Sequence, residues 1–136
     1  MTDESMKKMW SHWAHYGYRS HEDKPKFPYI KLNLLVLRCK NIENSRIFYE
    51  CLGIIFSKEK HGNVVEHYSS SLDGLIFELY PAPKDEITCN SRIGFRLNNI
   101  DEFIPKLEIH SQHEFDGHKI YVVVDPDGRK VEISGA

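Results

Sequence analysis

The chain has 136 residues, of which 40% are hydrophobic and 28% charged, and its net charge is −2 with histidine neutral. That length suits one domain or two small halves sharing a core, and the composition excludes a chain disordered throughout. The charge lacks the basic excess of a nucleic-acid binder, and the longest apolar runs, Leu34-Leu35-Val36-Leu37 and Tyr121-Val122-Val123-Val124, are strand-sized and too short to span a bilayer.

Residues 1–28 differ from the rest. Met6, Met9, Trp10, Trp13 and Tyr16 recur at three- and four-residue spacing, which predicts a short amphipathic helix with Asp3 or Ser5 as its cap. Gly17 breaks the pattern, and residues 21–28 are charged and proline-bearing, like a linker. The two tryptophans need an apolar surface, which is the flank of the domain, a dimer contact or a pocket under a lid. Asp3 and Glu4, with no apolar stretch behind them, do not read as a secretory signal. Cys39, Cys51 and Cys89 are odd in number and have no metal-ligand spacing, so a disulfide framework is not expected and the cytoplasm is the expected setting.

Strand patterns begin at Tyr29. Residues 30–39 are rich in leucine and valine. A helix follows, with Asn41 as cap, an apolar face of Ile47, Phe48, Cys51 and Leu52, and Gly53 at the position a helix-ending glycine takes. Residues 54–58, 64–70 and 75–80 read as strands separated by turns at His61-Gly62-Asn63 and Asp73-Gly74. Pro81-Ala82-Pro83 opens a polar connector to Asn90. Residues 92–97 are again a strand. Asn99-Ile100-Asp101-Glu102 resembles a capping box, and Pro105 limits the helix behind it to a short one. Residues 110–115, 119–124 and 130–134 are strands, the last two joined by an Asp125-Pro126-Asp127-Gly128 turn.

The order repeats. Arg38-Cys39-Lys40-Asn41-Ile42-Glu43 matches Arg96-Leu97-Asn98-Asn99-Ile100-Asp101, and Asp73-Gly74-Leu75-Ile76-Phe77-Glu78-Leu79 matches Asp127-Gly128-Arg129-Lys130-Val131-Glu132-Ile133. Two matches in the same order at similar offsets indicate an internal duplication. The modules run over about residues 29–83 and 90–135. Strand alternation then assigns faces. Leu75, Phe77 and Leu79 face the helix side, while Ile76, Glu78 and Tyr80 face the open side. Val131 and Ile133 are set against Lys130, Glu132 and Ser134 in the same way. Leu34, Val36 and Arg38 share one face, as do Arg92, Gly94 and Arg96.

The helix segment from Asn41 to Gly53, with Phe48-Tyr49 and then Leu52-Gly53, and the segment from Val124 to Ile133, with Asp125-Pro126-Asp127-Gly128 and Glu132, resemble signatures of the vicinal oxygen chelate superfamily. That superfamily includes glyoxalase I, bleomycin-resistance proteins, fosfomycin-resistance enzymes and extradiol dioxygenases. The resemblance covers residues 29–135. It implies an α+β fold in which paired βαβββ modules form a cupped, mixed, glyoxalase-like sheet around a cavity, often completed across a homodimer. In the metal enzymes of the superfamily the ligands come from the first, fourth, fifth and eighth strands. Those positions correspond here to Leu34 (beside Asn33), Glu78, Arg92 and Glu132. Leucine has no ligand atom and arginine repels a cation, so two of the four positions fail.

The leading expectation is a homodimer that binds a small molecule in the cavity, without the full metal site. Arg38, Glu78, Tyr80, Arg92, Arg96 and Glu132 are its candidate ligand-binding residues. Glu78 and Glu132 would be neutralised by Arg92, Arg96 or Arg38, and plain structural ion pairing competes with this reading. The alternative is a lyase or isomerase of the glyoxalase I type. Its candidate catalytic groups are Glu78 and Glu132, and a divalent metal (zinc, nickel, iron or manganese) would be held by Glu78, Glu132 and, if its side chain points inward, His67. A third reading is an interaction protein on an inactive scaffold, working through the aromatic extension. The pairs His12/His15 and His110/His113 lack completing ligands and read as surface residues.

Overall fold

The computed structural model describes Glu4 and residues 30–85 and 90–135. The helix expected within residues 1–28 and residues 86–89 of the connector before Asn90 lie outside them. The chain divides into Met1–Leu32 and Asn33–Ala136, and the second unit is described below.

Strand β1 (Leu34–Cys39), helix α1 (Ile42–Glu50) and strands β2 (Ser57–Glu59), β3 (His67–Leu72) and β4 (Leu75–Pro81) make the first module. Strand β5 (Arg92–Leu97), helix α2 (Ile100–Phe103) and strands β6 (Ser111–Phe115), β7 (His118–Val124) and β8 (Lys130–Gly135) make the second. Each module is a four-stranded mixed sheet, in the orders β1-β4-β3-β2 and β5-β8-β7-β6. The first and last strands of each run parallel and the other pairs antiparallel. The two orders correspond strand for strand, as the repeated segments predict.

α1 forms because Asn41, in an extended conformation, accepts hydrogen bonds at Oδ1 from the backbone N–H groups of Glu43 (3.0 Å) and Asn44 (3.1 Å). Arg46 then reaches Glu43 and Glu50 on the solvent side at 3.1 and 2.8 Å. Gly53, at φ +94°, turns the chain out of the helix, and a Cβ there would stand 2.9 Å from the Phe103 ring.

The buried face of α1 differs from the apolar face expected. Ile47 is half exposed, while Ser45, Tyr49 and Leu52 are buried. Their hydroxyls have partners in the second module, so the two polar residues can enter the interior without leaving an unmatched group.

β2 and β3 begin about three residues later than the sequence pattern suggests. Their pairing is symmetric about Asn63, with Glu59 opposite His67 and Ser57 opposite Ser69. Residues 64–66 therefore belong to the loop, which the Val64 N–H closes on the His61 carbonyl. Ile54 and Phe56, read as strand residues, instead pack against the core ahead of β2. α2 is brief, as Pro105 requires, and continues as a 3-10 turn over Ile104–Lys106. The expected capping box is not formed. Asn99 makes no side-chain cap bond, and its carbonyl accepts from the Glu102 N–H instead.

The helix-side faces of both sheets meet in one core. Phe77, Leu79, Val131 and Ile133 are fully buried, each contributing about 1.5–3 kcal/mol relative to an exposed position. Phe77 packs edge-on against Phe95 of the second sheet at 5.9 Å, and Tyr49 meets both rings at 5.2 and 6.2 Å. Strand alternation then turns the other face of each sheet away from this core, and those two faces carry the sequence candidates. Among the described residues no helix is long and apolar enough to cross a membrane.

Candidate functional site

On the first sheet the outward face holds Arg38 on β1, Glu78 and Tyr80 on β4, His67 on β3 and Glu59 on β2. The Tyr80 and His67 rings stack at 4.1 Å, with planes 10° apart, and the Arg38 guanidinium lies 5.1 Å from the Tyr80 ring centre. His67 Nε2 lies 3.3 Å from Glu78 Oε2 and 3.4 Å from Glu59 Oε2, and its Nδ1 is 2.9 Å from the Val65 carbonyl. The His67 side chain is 2% exposed, against 15% for Glu78 and 35% for Glu59. Burial, and then the nearby Glu78 charge, raise the Tyr80 phenol above its ordinary pKa. The side chain of His67 therefore does point into the cluster.

On the second sheet Arg92 Nη1 donates to Glu132 Oε1 at 2.9 Å. Glu132 lines a shallow hollow of about 200 Å³ together with Gly94, Arg96, Ile120 and Ser134. Glu78 is not among the residues of that hollow. The two module-equivalent glutamates thus occupy separate surroundings, one with a histidine and a second carboxylate, the other with an arginine.

The metal positions implied by the family resemblance can be tested on this arrangement. Leu34 presents only carbon and stands half exposed, while Arg92 is a cation already paired with Glu132. A metal held by Leu34, Glu78, Arg92 and Glu132 does not fit these side chains. Among the described residues the one group of three donors that converge is instead Glu59, His67 and Glu78, whose ligand atoms all lie within 4.8 Å of one another.

Glu59 is absent from the sequence candidates because the second strand was read as ending at Lys58. The signal was available: folding the hairpin about the His61-Gly62-Asn63 turn places residue 59 opposite residue 67.

The Asp-Pro-Asp-Gly turn has a different task. Asp125 Oδ1 accepts from the N–H groups of Asp127 and Arg129, both at 2.9 Å, and Oδ2 accepts from the Tyr49 hydroxyl at 2.7 Å and from Arg129 Nη1 at 3.1 Å. Asp127 accepts from the Lys40 N–H at 3.0 Å and from Ser45 Oγ at 3.4 Å. Arg129 Nη2 donates to the Arg38 carbonyl. This buried network binds the end of β1 and the helix α1 to the last turn of the second module. Burial and the Asp125 charge raise the Tyr49 phenol well above its ordinary pKa. Burial likewise raises the Cys39 thiol, which keeps it protonated and unreactive.

No protein-family model matches the sequence, and no curated protein matches it. Solved structures do. Oxidase ChaP-H2 superposes with a TM-score of 0.64 at 13% identity, covering 80% of this chain and 95% of that one. A lactoylglutathione lyase from Agrobacterium tumefaciens gives 0.59 at 14% identity, covering 82% and 96%. TnmS3, an antibiotic binding protein from Streptomyces sp. CB03234, gives 0.63 at 13% identity, covering 80% and 98%. The fold is therefore the glyoxalase-like fold. At these identities the likeness carries the architecture and leaves the chemistry to the side chains.

Proposed function

We propose that this protein binds a small polar or cationic molecule on the outward faces of its two sheets, and that two copies meet to enclose it. The observation that carries this reading is the placement of Glu78 and Glu132. They sit at equivalent positions of the two modules, on faces turned away from the shared core, so that neither is consumed in joining the modules. Apolar groups accompany them: Leu34 and Ile76 are exposed beside Glu78, and Ile120 lines the hollow at Glu132. Charged and apolar groups set together on an open face are what a small-molecule site offers. A second copy laying its Glu132 face against the Glu78 face of the first would turn two open surfaces into a cavity. Arg38 and Tyr80 would then line one wall, and Arg92 and Arg96 the other. The antibiotic-binding TnmS3 shows that the scaffold is used for binding in at least one protein.

The test is a thermal-shift screen of the full chain against cationic antibiotics, glutathione conjugates and small electrophiles, with sedimentation to give the oligomeric state. Stabilisation by one class in a dimeric protein, lost in Glu78→Gln and Glu132→Gln variants that remain folded, is the expected result. A monomer that none of these classes stabilises, or a hit indifferent to both substitutions, rejects the reading.

A lyase or isomerase activity is the second reading, and one observation favours it: the converging donors Glu59, His67 and Glu78 lie on the same face as Tyr80 and Arg38. Turnover of a glutathione hemithioacetal by metal-loaded protein would establish it, and stable substrate in the presence of that protein would dismiss it.

A further inference from the structure

We infer that Glu59, His67 and Glu78 form a binding site for a divalent transition-metal ion, zinc foremost, on three adjacent strands of the first module. The proposal is independent of the small-molecule reading, since a cation can bind whether or not an organic ligand does.

The tautomer of His67 is the starting point. Its Nδ1 faces the Val65 carbonyl at 2.9 Å, and a carbonyl oxygen only accepts, so the ring proton sits on Nδ1. Nε2 is then the atom left to bind a proton or a metal ion. It faces Glu78 Oε2, 3.3 Å away, and Glu59 Oε2, 3.4 Å away, which are themselves acceptors. Nε2 and the two carboxylate oxygens converge on one point that a positive species fills, either a proton on Nε2, which makes the ring an imidazolium, or a metal ion in its place. Tyr80 does not supply it. Its hydroxyl is 3.3 Å from Nε2, but the two rings are stacked, so the hydroxyl lies above the imidazole plane and away from the in-plane lone pair.

The spacing suits a metal. A tetrahedral zinc ion with bonds of 2.0–2.1 Å holds its ligand atoms about 3.3–3.4 Å apart. The two distances from Nε2 fall on that value. One nitrogen and two carboxylate oxygens make an ordinary zinc donor set that keeps a fourth position open for water or substrate. The carbonyl behind Nδ1 is the outer-shell contact that orients metal-binding histidines and makes them better donors. Exposed His61, whose Nε2 is 3.3 Å from Glu59 Oε2, stands at the open side.

The three residues are held by the strand ladders. Glu59 and His67 are opposed across the β2–β3 ladder, and Ser69 and Glu78 across β3–β4, so all three ligands sit on paired strands.

The second module provides an internal control. Its equivalent of Glu78 is Glu132, opposite Val122, just as Glu78 is opposite Ser69. Ile120 occupies the place of His67 and His113 the place of Glu59. One half of the duplication carries the donor set and the other lacks the central ligand. The set also differs from the four positions of the superfamily metal enzymes, of which it shares only Glu78.

The test uses tag-free full-length chain stripped with a chelator and titrated calorimetrically with zinc alone, with cobalt(II) absorption as a second readout. The expected result is one zinc per chain and the visible bands of tetrahedral cobalt. In Glu59→Gln zinc affinity should fall at least ~10-fold and the cobalt bands should vanish, because a charged ligand is gone. Glu59 is partly exposed, so this variant should fold where His67→Ala, which opens a buried ring stack, could fail to. Glu132→Gln should bind zinc as the unsubstituted chain does. Absence of zinc uptake by the folded stripped chain overturns the proposal. So does equal affinity in Glu59→Gln, which would identify adventitious binding by surface histidines.

Discussion

Tyr49, in the last turn of α1, donates its hydroxyl proton to Asp125 of the second module across 2.7 Å, and both side chains are removed from solvent. The contact is a direct chemical bond between the two halves of the duplication. Tyr49→Phe keeps the ring packing and deletes only the donor, so it should destabilise the fold by about 1.5–3 kcal/mol, the range for a hydrogen bond to a charged group. Urea denaturation measures it.

The same tyrosine has an alkaline signature. Its pKa is raised in the folded state, so above about pH 10 the unfolded chain releases the proton while the folded chain retains it. The contribution of Tyr49 is complete below that pH and declines as pH rises beyond it. Comparing Tyr49→Phe with the unsubstituted chain between pH 8 and about 11 isolates this from the other tyrosines: the stability gap should narrow with rising pH.

Arg129 is 2% exposed and neutralises Asp125 and Asp127, whose side chains are 0% and 1% exposed. Arg129→Gln would leave two buried carboxylates without their cation. The expected cost is about 3–5 kcal/mol, large enough to abolish folding in a domain of ordinary stability. Arg129→Lys keeps the charge and loses the fork that spans Asp125, Asp127 and the Arg38 carbonyl, so it should fall between the two. Circular dichroism during thermal unfolding ranks the three proteins.

Gly53→Ala combines a positive φ with a Cβ 2.9 Å from the Phe103 ring. The left-handed backbone alone costs an L-residue about 1–2 kcal/mol, and displacement of Phe103 adds to it. Gly117→Ala, also at positive φ but with open space around it, should show the backbone cost alone. The difference between their denaturation midpoints reports the packing of α1 against α2.

Glu43 accepts a hydrogen bond from Tyr68 and ion-pairs with Arg46, and these hold its carboxyl below the usual range, the Tyr68 bond chiefly. A depressed folded-state pKa gives stability that is present above the ordinary glutamate pKa and lost as pH falls through the lowered one. Glu43→Gln should therefore be less stable than the unsubstituted chain at neutral pH and equal to it in acid, as urea midpoints across that range would show.

Much of this fold is legible in the chain. β5 matches its predicted bounds, β4, β7 and β8 fall within a residue of them, and the Asn41 cap and Gly53 stop are where residue chemistry puts them. Face assignment worked because alternation is geometric: Phe77 and Leu79 went inside and Glu78 stayed on the other side. Reading failed where a tertiary partner changes what a residue can do. The apolar face read from the sequence leaves out Ser45 and Tyr49, whose burial depends on Asp127 and Asp125 being placed against them, and includes Ile47, which stays half exposed. At the site, His67 and Glu78 were legible as single residues. Their convergence with Glu59 depends on a hairpin register one residue longer than the apolar pattern implies, and the turn at His61-Gly62-Asn63, not that pattern, is what marks it.

Because the helix-side surfaces of both sheets are spent on each other, the outer surfaces are left to carry unlike side chains. Ile120 and His67 stand at matching places with unlike chemistry, so the repeat that builds the frame twice displays the donor set only once.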